Sequence, residues 1–371
     1  MPQGPTMTEL AIHADQDIAA ELCEQVRSAY AERTPLRIVA GNTRAFYGRP
    51  VEGAELNVAP HRGIVSYDPV ELVVTVRAGT RLDTLNAALA EKHQMLPFEP
   101  PIFGEASTIG GAVATGMSGP RRPWAGAARD FVLGTRVITQ EGKLLRFGGE
   151  VMKNVAGYDL SRMMAGAQGT LGVLADISFK VLPIPTASHS LRLEMGLQDA
   201  LAKLSELGRQ PLPITAAAWH AGELFIRLEG GESSVKATKE RLGGEELSAD
   251  FWQQLRDQQH GFFSLNEGQA LWRLSLPPHT PALELAVEES DIFYDWGGSQ
   301  RWVKTALPAD TLRDECQKAG GHATCYTPHA QGGAESPFTP LNAVVEKYHR
   351  NLKAELDAHG IFNPGRLYAA F

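Results

Sequence analysis

Two short runs bring together turns and side chains that could do chemistry: Ala40-Gly41-Asn42-Thr43-Arg44, and Thr108-Ile109-Gly110-Gly111-Ala112-Val113-Ala114-Thr115-Gly116. In the first, successive peptide N–H groups at a strand end can converge into an anion-binding nest. Asn42 and Thr43 add polar groups suited to pyrophosphate oxygens. The alternative is an ordinary strand-end turn, because Gly-Asn is common turn chemistry. In the second, Ser107 or Thr108 stands where a helix would start, and free N–H groups there favour negative charge. Gly110-Gly111-Ala112 would let backbone pack closely on a ligand; the alternative is a small-residue helix pressed against a sheet. A third glycine run is Gly166-Ala167-Gln168-Gly169-Thr170-Leu171-Gly172-Val173. Glycine has no Cβ, so its N–H can approach a large flat or charged ligand, and it tolerates positive φ. Several such turns between strands predict a long ligand lying along the fold.

Other candidates are weaker. Ser118-Gly119-Pro120-Arg121-Arg122-Pro123 sets two arginines after the second glycine element. Arginine holds carboxylate or phosphate through paired hydrogen bonds; a solvated basic loop is the alternative. Lys153 and Tyr158 stand before an expected helix, and Tyr158 also reads as a core tyrosine. Cys316, His322, Cys325 and His329 match none of the usual zinc spacings. His322 to Tyr326 reads instead as a strand with one buried face, and no metal site is expected. No G-x-G-x-x-G follows the first strand and no P-loop is present, while Gly166, Gly169 and Gly172 come late and lead into a strand. That excludes a doubly wound dinucleotide fold and a nucleotide hydrolase.

The elements that must position these residues follow from periodicity. From Asp15 a helix is expected with Ile18, Leu22, Val26 and Ala29 on one face, ended by Thr34-Pro35. Leu36 to Val39 is a short strand running into the first glycine turn, and Leu72 to Val76 is a β-branched strand. Thr80 reads as an N-cap, with Leu82, Leu85 and Leu89 as the buried stripe of the next helix. Phe131 to Thr139 and Leu144 to Phe147 form a hairpin, and Val173 to Leu182 a long strand. Beyond Thr186 the glycine turns thin out, with strands expected at Trp219 to Leu228 and Leu271 to Leu276. Leu341, Val344, Tyr348, Leu352 and Leu356 make a helical stripe before Gly360-Ile361-Phe362-Asn363-Pro364-Gly365-Arg366.

Bulk properties narrow the class. The 371 residues are 43% hydrophobic and 21% charged, which is a globular composition with length for two domains or one large one. A net charge of -8 excludes a global nucleic-acid footprint. Three cysteines, without a C-x-x-C pair, cannot supply the thiolates of an iron–sulfur cluster, and they fit a reducing compartment. Met1 to Thr8 lacks the basic and apolar regions of a signal peptide and reads as a frayed tail. No apolar run approaches the ~18 residues of a membrane span, so membrane contact would come through a partner.

In order, these elements resemble the FAD-binding domain of the vanillyl-alcohol-oxidase-like (PCMH-type) flavoproteins, and within them the FAD-binding subunits of glycolate oxidase. The match covers roughly Ile12 to Leu182 plus Phe362 to Tyr368. It rests on Pro97-Phe98-Glu99-Pro100-Pro101, Ser118 to Gly126, Arg129-Asp130-Phe131-Val132-Leu133-Gly134, Phe147-Gly148-Gly149 and Val151 to Asp159. The resemblance implies an α+β fold: a two-subdomain FAD domain over 1–185, a smaller α+β cap over 186–335, and a C-terminal segment, 336–371, returning to the FAD domain. Ala40, Gly41, Asn42, Thr43, Arg44, Ala45 and Phe46 would cradle the pyrophosphate. Ser107, Thr108, Ile109, Gly110, Gly111, Ala114, Thr115 and Gly116 would line the other side, near Pro100, Pro101, Arg129 and Asp130. Gly169, Thr170, Gly172 and Val173 would touch the flavin or its ribityl chain, with Asn363 and Arg366 near the ring edge. Covalent attachment in relatives often uses a histidine beside the pyrophosphate loop; none stands here, so non-covalent FAD is expected.

The implied activity is oxidation of glycolate, a 2-hydroxy acid, to glyoxylate, with electrons passing to the iron–sulfur centres of a partner. The chain lacks the histidine-rich metal motif of the larger FAD-binding catalytic subunit and the cysteine runs of the iron–sulfur subunit. It therefore reads as one part of a complex, cytoplasmic and held at the inner membrane only through partners. If it turns over substrate, Arg121 or Arg122 would hold the carboxylate and Tyr158 would move a proton. The rival readings are an electron-relay subunit that binds FAD without turnover, and a D-lactate-dehydrogenase-like or sugar-reductase flavoenzyme.

Overall fold

A computed structural model describes residues 15–149, 159–327 and 336–371. Helix α1 (Ala19–Glu32) buries Ala19, Leu22, Val26 and Ala29, one stripe at helical spacing, and Arg33 at φ 55° ends it. Strand β1 (Leu36–Val39) pairs in parallel with β2 (Ala54–Asn57). Phe362 bridges Leu36 on the other side, so the end of the chain joins its first strand.

A five-stranded sheet lies behind this pair. β3 (Ile64–Asp68) and β4 (Val73–Arg77) precede α2 (Leu82–Ala90) and the two-residue β5 (Gln94–Met95). After α3 (Ile109–Thr115) come β6 (Val132–Ile138), β7 (Leu144–Gly148), β8 (Val173–Lys180) and the short β9 (Leu182–Pro183), the partner of β5. The sheet order is β3-β4-β8-β6-β7. Val74, Val76, Leu82, Leu85, Leu89, Ile177 and Phe179 share one core. The expected cap at Thr80 is not formed. Arg81 holds the N-cap position without a side-chain bond, because the Thr80 hydroxyl is engaged with the peptide of Gly63, accepting from its N–H at 2.9 Å and donating to its carbonyl at 3.2 Å.

An eight-stranded sheet is built from β10 (Ala187–Glu194), β11 (Ile214–His220), β12 (Glu223–Gly230), β13 (Glu245–Glu246), β14 (Ala270–Ser275), β15 (Ile292–Asp295), β16 (Gln300–Thr305) and β17 (His322–Cys325). Its order is β13-β10-β12-β11-β15-β16-β14-β17. The single strand expected at Trp219 to Leu228 is instead the β11–β12 hairpin. Ala221 and Gly222 form its two-residue loop at φ 49° and 84°, the double positive φ of a primed turn. One sheet face, with Trp219, Ile226 and Trp272, packs on helices α4 (Leu197–Leu207), α5 (Glu232–Leu242) and α6 (Ala309–Lys318). The other, with Phe225, Phe293 and Trp302, meets Tyr47 and Met117 of the first unit.

The C-terminal helix α7 (Ala343–Leu356) starts at an Asn342 cap, but its apolar stripe does not form a core. Val344 and Tyr348 are 65% and 66% exposed. The helix is fastened by Lys353, whose Nζ donates to Asp357, to the Thr170 carbonyl and to the Phe362 carbonyl at 2.6–2.9 Å.

Candidate functional site: a cavity at the end of the first strand

The loop after β1, the start of α3, the 167–172 turn and the C-terminal segment enclose a cavity of about 570 Å³. Asn42 takes φ 54°, which turns the loop. A Cβ on Gly41 would lie 1.5 Å from the carbonyl oxygen of Ala106, and one on Gly110 would lie 2.6 Å from that of Ala78. These two glycines therefore serve the approach of backbone to backbone, rather than of ligand to backbone as the sequence predicts. Gly111 differs: only Thr108 Oγ1 and the Arg44 guanidinium come within 4 Å of its missing Cβ. Thr108 caps α3 by accepting the Gly111 N–H at 3.2 Å.

The electrostatics call for an anion. The N–H groups of Gly41, Asn42, Thr43 and Arg44 meet no acceptor among the described residues. Arg44 is only 6% exposed, with Nη2 on the Pro101 carbonyl, Nη1 3.3 Å from Thr43 Oγ1, and the guanidinium 5.3 Å from the Phe103 ring centroid. Its Nε is buried and has no partner among the described residues. Burial pulls its pKa down to about 10, which leaves it charged at neutral pH. Among the described residues no carboxylate forms an ion pair with Arg44 or Arg366, and no Asp, Glu, His, Cys or Tyr lines the cavity. Asp257 attracts Arg44 without an ion-pair contact, and a buried cation so weakly compensated is costly. Val51, Val58, Met164 and Leu174 supply apolar wall beside it. This donor set fits a ligand with an anionic diphosphate and flat apolar ends, which is the chemistry of FAD.

Of the residues expected at the cofactor, Ala40 to Phe46, Thr108, Gly110, Gly111, Ala114, Thr115, Gly169, Gly172, Asn363 and Arg366 line the cavity. Others stand behind it. Ser107 Oγ lies 3.1 Å from Thr43 Oγ1 and accepts the Phe103 N–H at 3.0 Å. Pro100 is buried beside Pro101, and Ile109 belongs to the core. Gly116 ends α3 at φ 64°. The Thr170 hydroxyl donates to the Ala167 carbonyl, and Val173 opens β8 opposite Ile138. Arg129 and Asp130 are on the surface, with Asp130 taken by the Ala127 N–H. Sequence reasoning missed Gln168, Met164 and Val58; Gln168 shows only in its setting between glycines, where it takes φ 50°.

The catalytic expectations fare differently. Tyr158, Lys153 and His329 lie outside the described residues. Arg121 does not reach the cavity. It is locked into a buried quartet, donating to Glu229 at 2.6 Å and to Glu99, while Arg227 contacts Glu99 at 2.9 Å and Glu229 at 3.0 Å. Its donors are engaged there, so it is not placed to hold a substrate carboxylate. Arg122 sits with its guanidinium 4.3 Å from the Trp296 ring centroid. Among the described residues no group of three metal-ligating side chains occurs, and Cys316 and Cys325 are buried in the eight-stranded unit's core.

Near the quartet, Asp295 is buried and accepts from the Trp296 N–H and the Gln300 amide. Burial pushes its pKa up to about 7. A raised carboxyl pKa means the folded state binds a proton that the unfolded state has lost, so stability falls between pH 4 and 7. Asp295→Asn should therefore match the wild type near pH 4 and exceed it, on the order of 4 kcal/mol, above pH 7. Urea unfolding at pH 4.5 and pH 8 checks this; an equal difference at both would contradict it.

Comparison with known proteins places these features. A family model described as FAD binding domain matches residues 17–148. The chain is 55% identical to glycolate oxidase subunit GlcE of Escherichia coli over 95% of this chain and 98% of that protein. It is 34% identical to glycolate oxidase subunit GlcD of Bacillus subtilis over 86% of this chain and 80% of that one. A crystal structure of p-cresol methylhydroxylase superposes with a TM-score of 0.71 at 15% identity, covering 95% of this chain and 88% of the other, a likeness of fold. No helix among the described residues is long and apolar enough to cross a membrane.

Proposed function

The chain belongs to the family of the glycolate oxidase subunit GlcE, and from that premise we propose that it is the FAD-holding subunit of a complex oxidising a 2-hydroxy acid, glycolate, to the 2-oxo acid. The observation that carries this is the cavity at the end of β1, where Arg44 stands buried, charged and without an ion-pair contact among the described residues. When bound, FAD supplies the two-electron acceptor for the C–H bond at the hydroxyl-bearing carbon. The peptide N–H groups of 41–44 would hold the diphosphate, beside the positive charge of Arg44. Met164, Leu174 and Val58 would exclude water from the flat rings. Among the described residues no Cys, His or Tyr lines the cavity, and the cofactor would be held without a covalent bond. Acid precipitation of the yellow protein should leave all flavin in the supernatant; flavin pelleting with the chain would contradict this.

The partners proposed are a larger FAD-binding subunit carrying substrate ligands and an iron–sulfur subunit that takes the electrons. Arg122, with no carboxylate partner among the described residues, is the proposed contact for a substrate carboxylate, and Tyr158 the proposed proton carrier. In the assembled complex, Arg122→Gln should raise the KM for glycolate about tenfold with flavin content unchanged. An unchanged KM removes Arg122 from the site.

A second reading, FAD-binding electron relay without turnover, is favoured by the seam between the two sheets. Tyr47, Phe46, Phe103, Tyr326 and Trp302 fill it with ring contacts at 4.9–5.3 Å, and the space beside Arg273 and Asp295 is about 20 Å³, room for a single water. Anaerobic glycolate added to the isolated chain decides between them. Bleaching of the yellow band supports turnover, and a stable band supports relay.

A further inference from the structure

Arg366 touches the cavity, yet its guanidinium is already committed. An arginine has five N–H donors. Here Nε donates to Gln168 Oε1 at 3.0 Å, Nη1 to the carbonyls of Arg49 at 2.7 Å and Ala45 at 3.2 Å, and Nη2 to those of Tyr47 at 2.6 Å and Arg44 at 3.2 Å. Each donor has a protein acceptor, and four of the five acceptors are carbonyls of one loop. The Arg49 N–H returns a bond to the Arg366 carbonyl at 2.9 Å. Three residues earlier, Asn363 accepts the Ile38 N–H at 2.8 Å and donates to the Gln168 carbonyl at 2.7 Å.

We propose that Arg366 is a positioning residue: its planar fork, set by the Asn363 anchor, gathers the carbonyls of residues 44–49 and so holds the preceding N–H groups in the shape that receives the cofactor's diphosphate. This rests on the reading that the cavity holds FAD. With no donor left over, Arg366 acts through the loop and not by a bond to the ligand. Lysine cannot replace it, because an ammonium offers three donors from a point and cannot bridge five acceptors in a plane. The adjoining Gly48, at φ 109°, serves the same clamp, since a Cβ there would press on Gln168 Oε1 at 2.6 Å and on Arg366 Nε at 3.0 Å.

The test is the FAD dissociation constant of the apo full-length chain, read by flavin fluorescence, for wild type, Arg366→Lys, Arg366→Gln and Gly48→Ala. All three variants are expected to bind at least about tenfold more weakly. Arg366→Lys should resemble Arg366→Gln, and the salt dependence of Arg366→Lys should equal that of the wild type. Wild-type affinity in Arg366→Lys with a loss only in Arg366→Gln would assign the effect to charge and overturn the proposal. If the arginine variants do not fold, Gly48→Ala decides: unchanged affinity there overturns it as well. A wild type that does not bind FAD defeats the cofactor reading itself, which is a separate outcome.

Discussion

A Gly41→Ala chain should fold its eight-stranded unit and still bind FAD at least about a hundredfold more weakly, a loss of about 2.7 kcal/mol. The reason is local. The new Cβ would fall 1.5 Å from the Ala106 carbonyl oxygen. That atom is backbone and cannot swing aside, so the loop itself must move. Its displacement carries away the four successive N–H groups that have no other acceptor among the described residues. The control is Gly196→Ala, at φ −62° with nothing within 4 Å of a new Cβ, which should leave affinity unchanged. The ratio of flavin to protein absorbance in purified samples reads the effect, and an equally yellow Gly41→Ala preparation would contradict it.

Glu99→Ala should be the most destabilising single change at the seam, by roughly 3–5 kcal/mol. Glu99 contacts Arg121 and Arg227, and removing it leaves two buried guanidinium groups sharing only Glu229. It is also held at φ 45° directly before Pro100, a conformation that residues preceding proline rarely take. The quartet offsets that strain. Burial alone would raise the Glu99 pKa, but Arg227 and Arg121 outweigh it and the net shift is downward. A depressed carboxyl pKa stabilises the fold above the unfolded-state value, near 4.5, and that stabilisation is lost as pH falls through the folded value. The wild type should thus weaken more than Glu99→Ala as the pH drops below 4.5. Thermal unfolding across pH 3 to 7 checks both points, and a parallel pair of curves would contradict the assignment.

Local periodicity made much of the first unit legible. The α1 stripe at Leu22, Val26 and Ala29, the α2 stripe at Leu82, Leu85 and Leu89, and the β6–β7 hairpin each follow from spacing that a single element imposes. The first glycine turn was legible because it follows a strand end. What escaped depends on distant partners. Arg121 and Glu229 are 108 residues apart, and nothing near Arg121 shows that its charge is neutralised from β12. Arg366 reads as a ligand contact until the carbonyls more than 300 positions earlier are seen to occupy it. The α7 stripe misled for the opposite reason. Its periodicity is real, but no element among the described residues covers Val344 and Tyr348, and the helix is held by Lys353. The Ala221-Gly222 turn was hidden because alanine is an unusual residue at positive φ.

The central claim is that main-chain amides and a buried arginine at the end of β1 receive the diphosphate of FAD. Titration of FAD into the apo chain, followed by calorimetry for wild type and Arg44→Met, tests it most directly. Saturation is expected near one FAD per wild-type chain, and a folded Arg44→Met variant should bind at least about a hundredfold more weakly. A folded wild type that takes up no FAD, or an Arg44→Met variant that binds as tightly as the wild type, would contradict it.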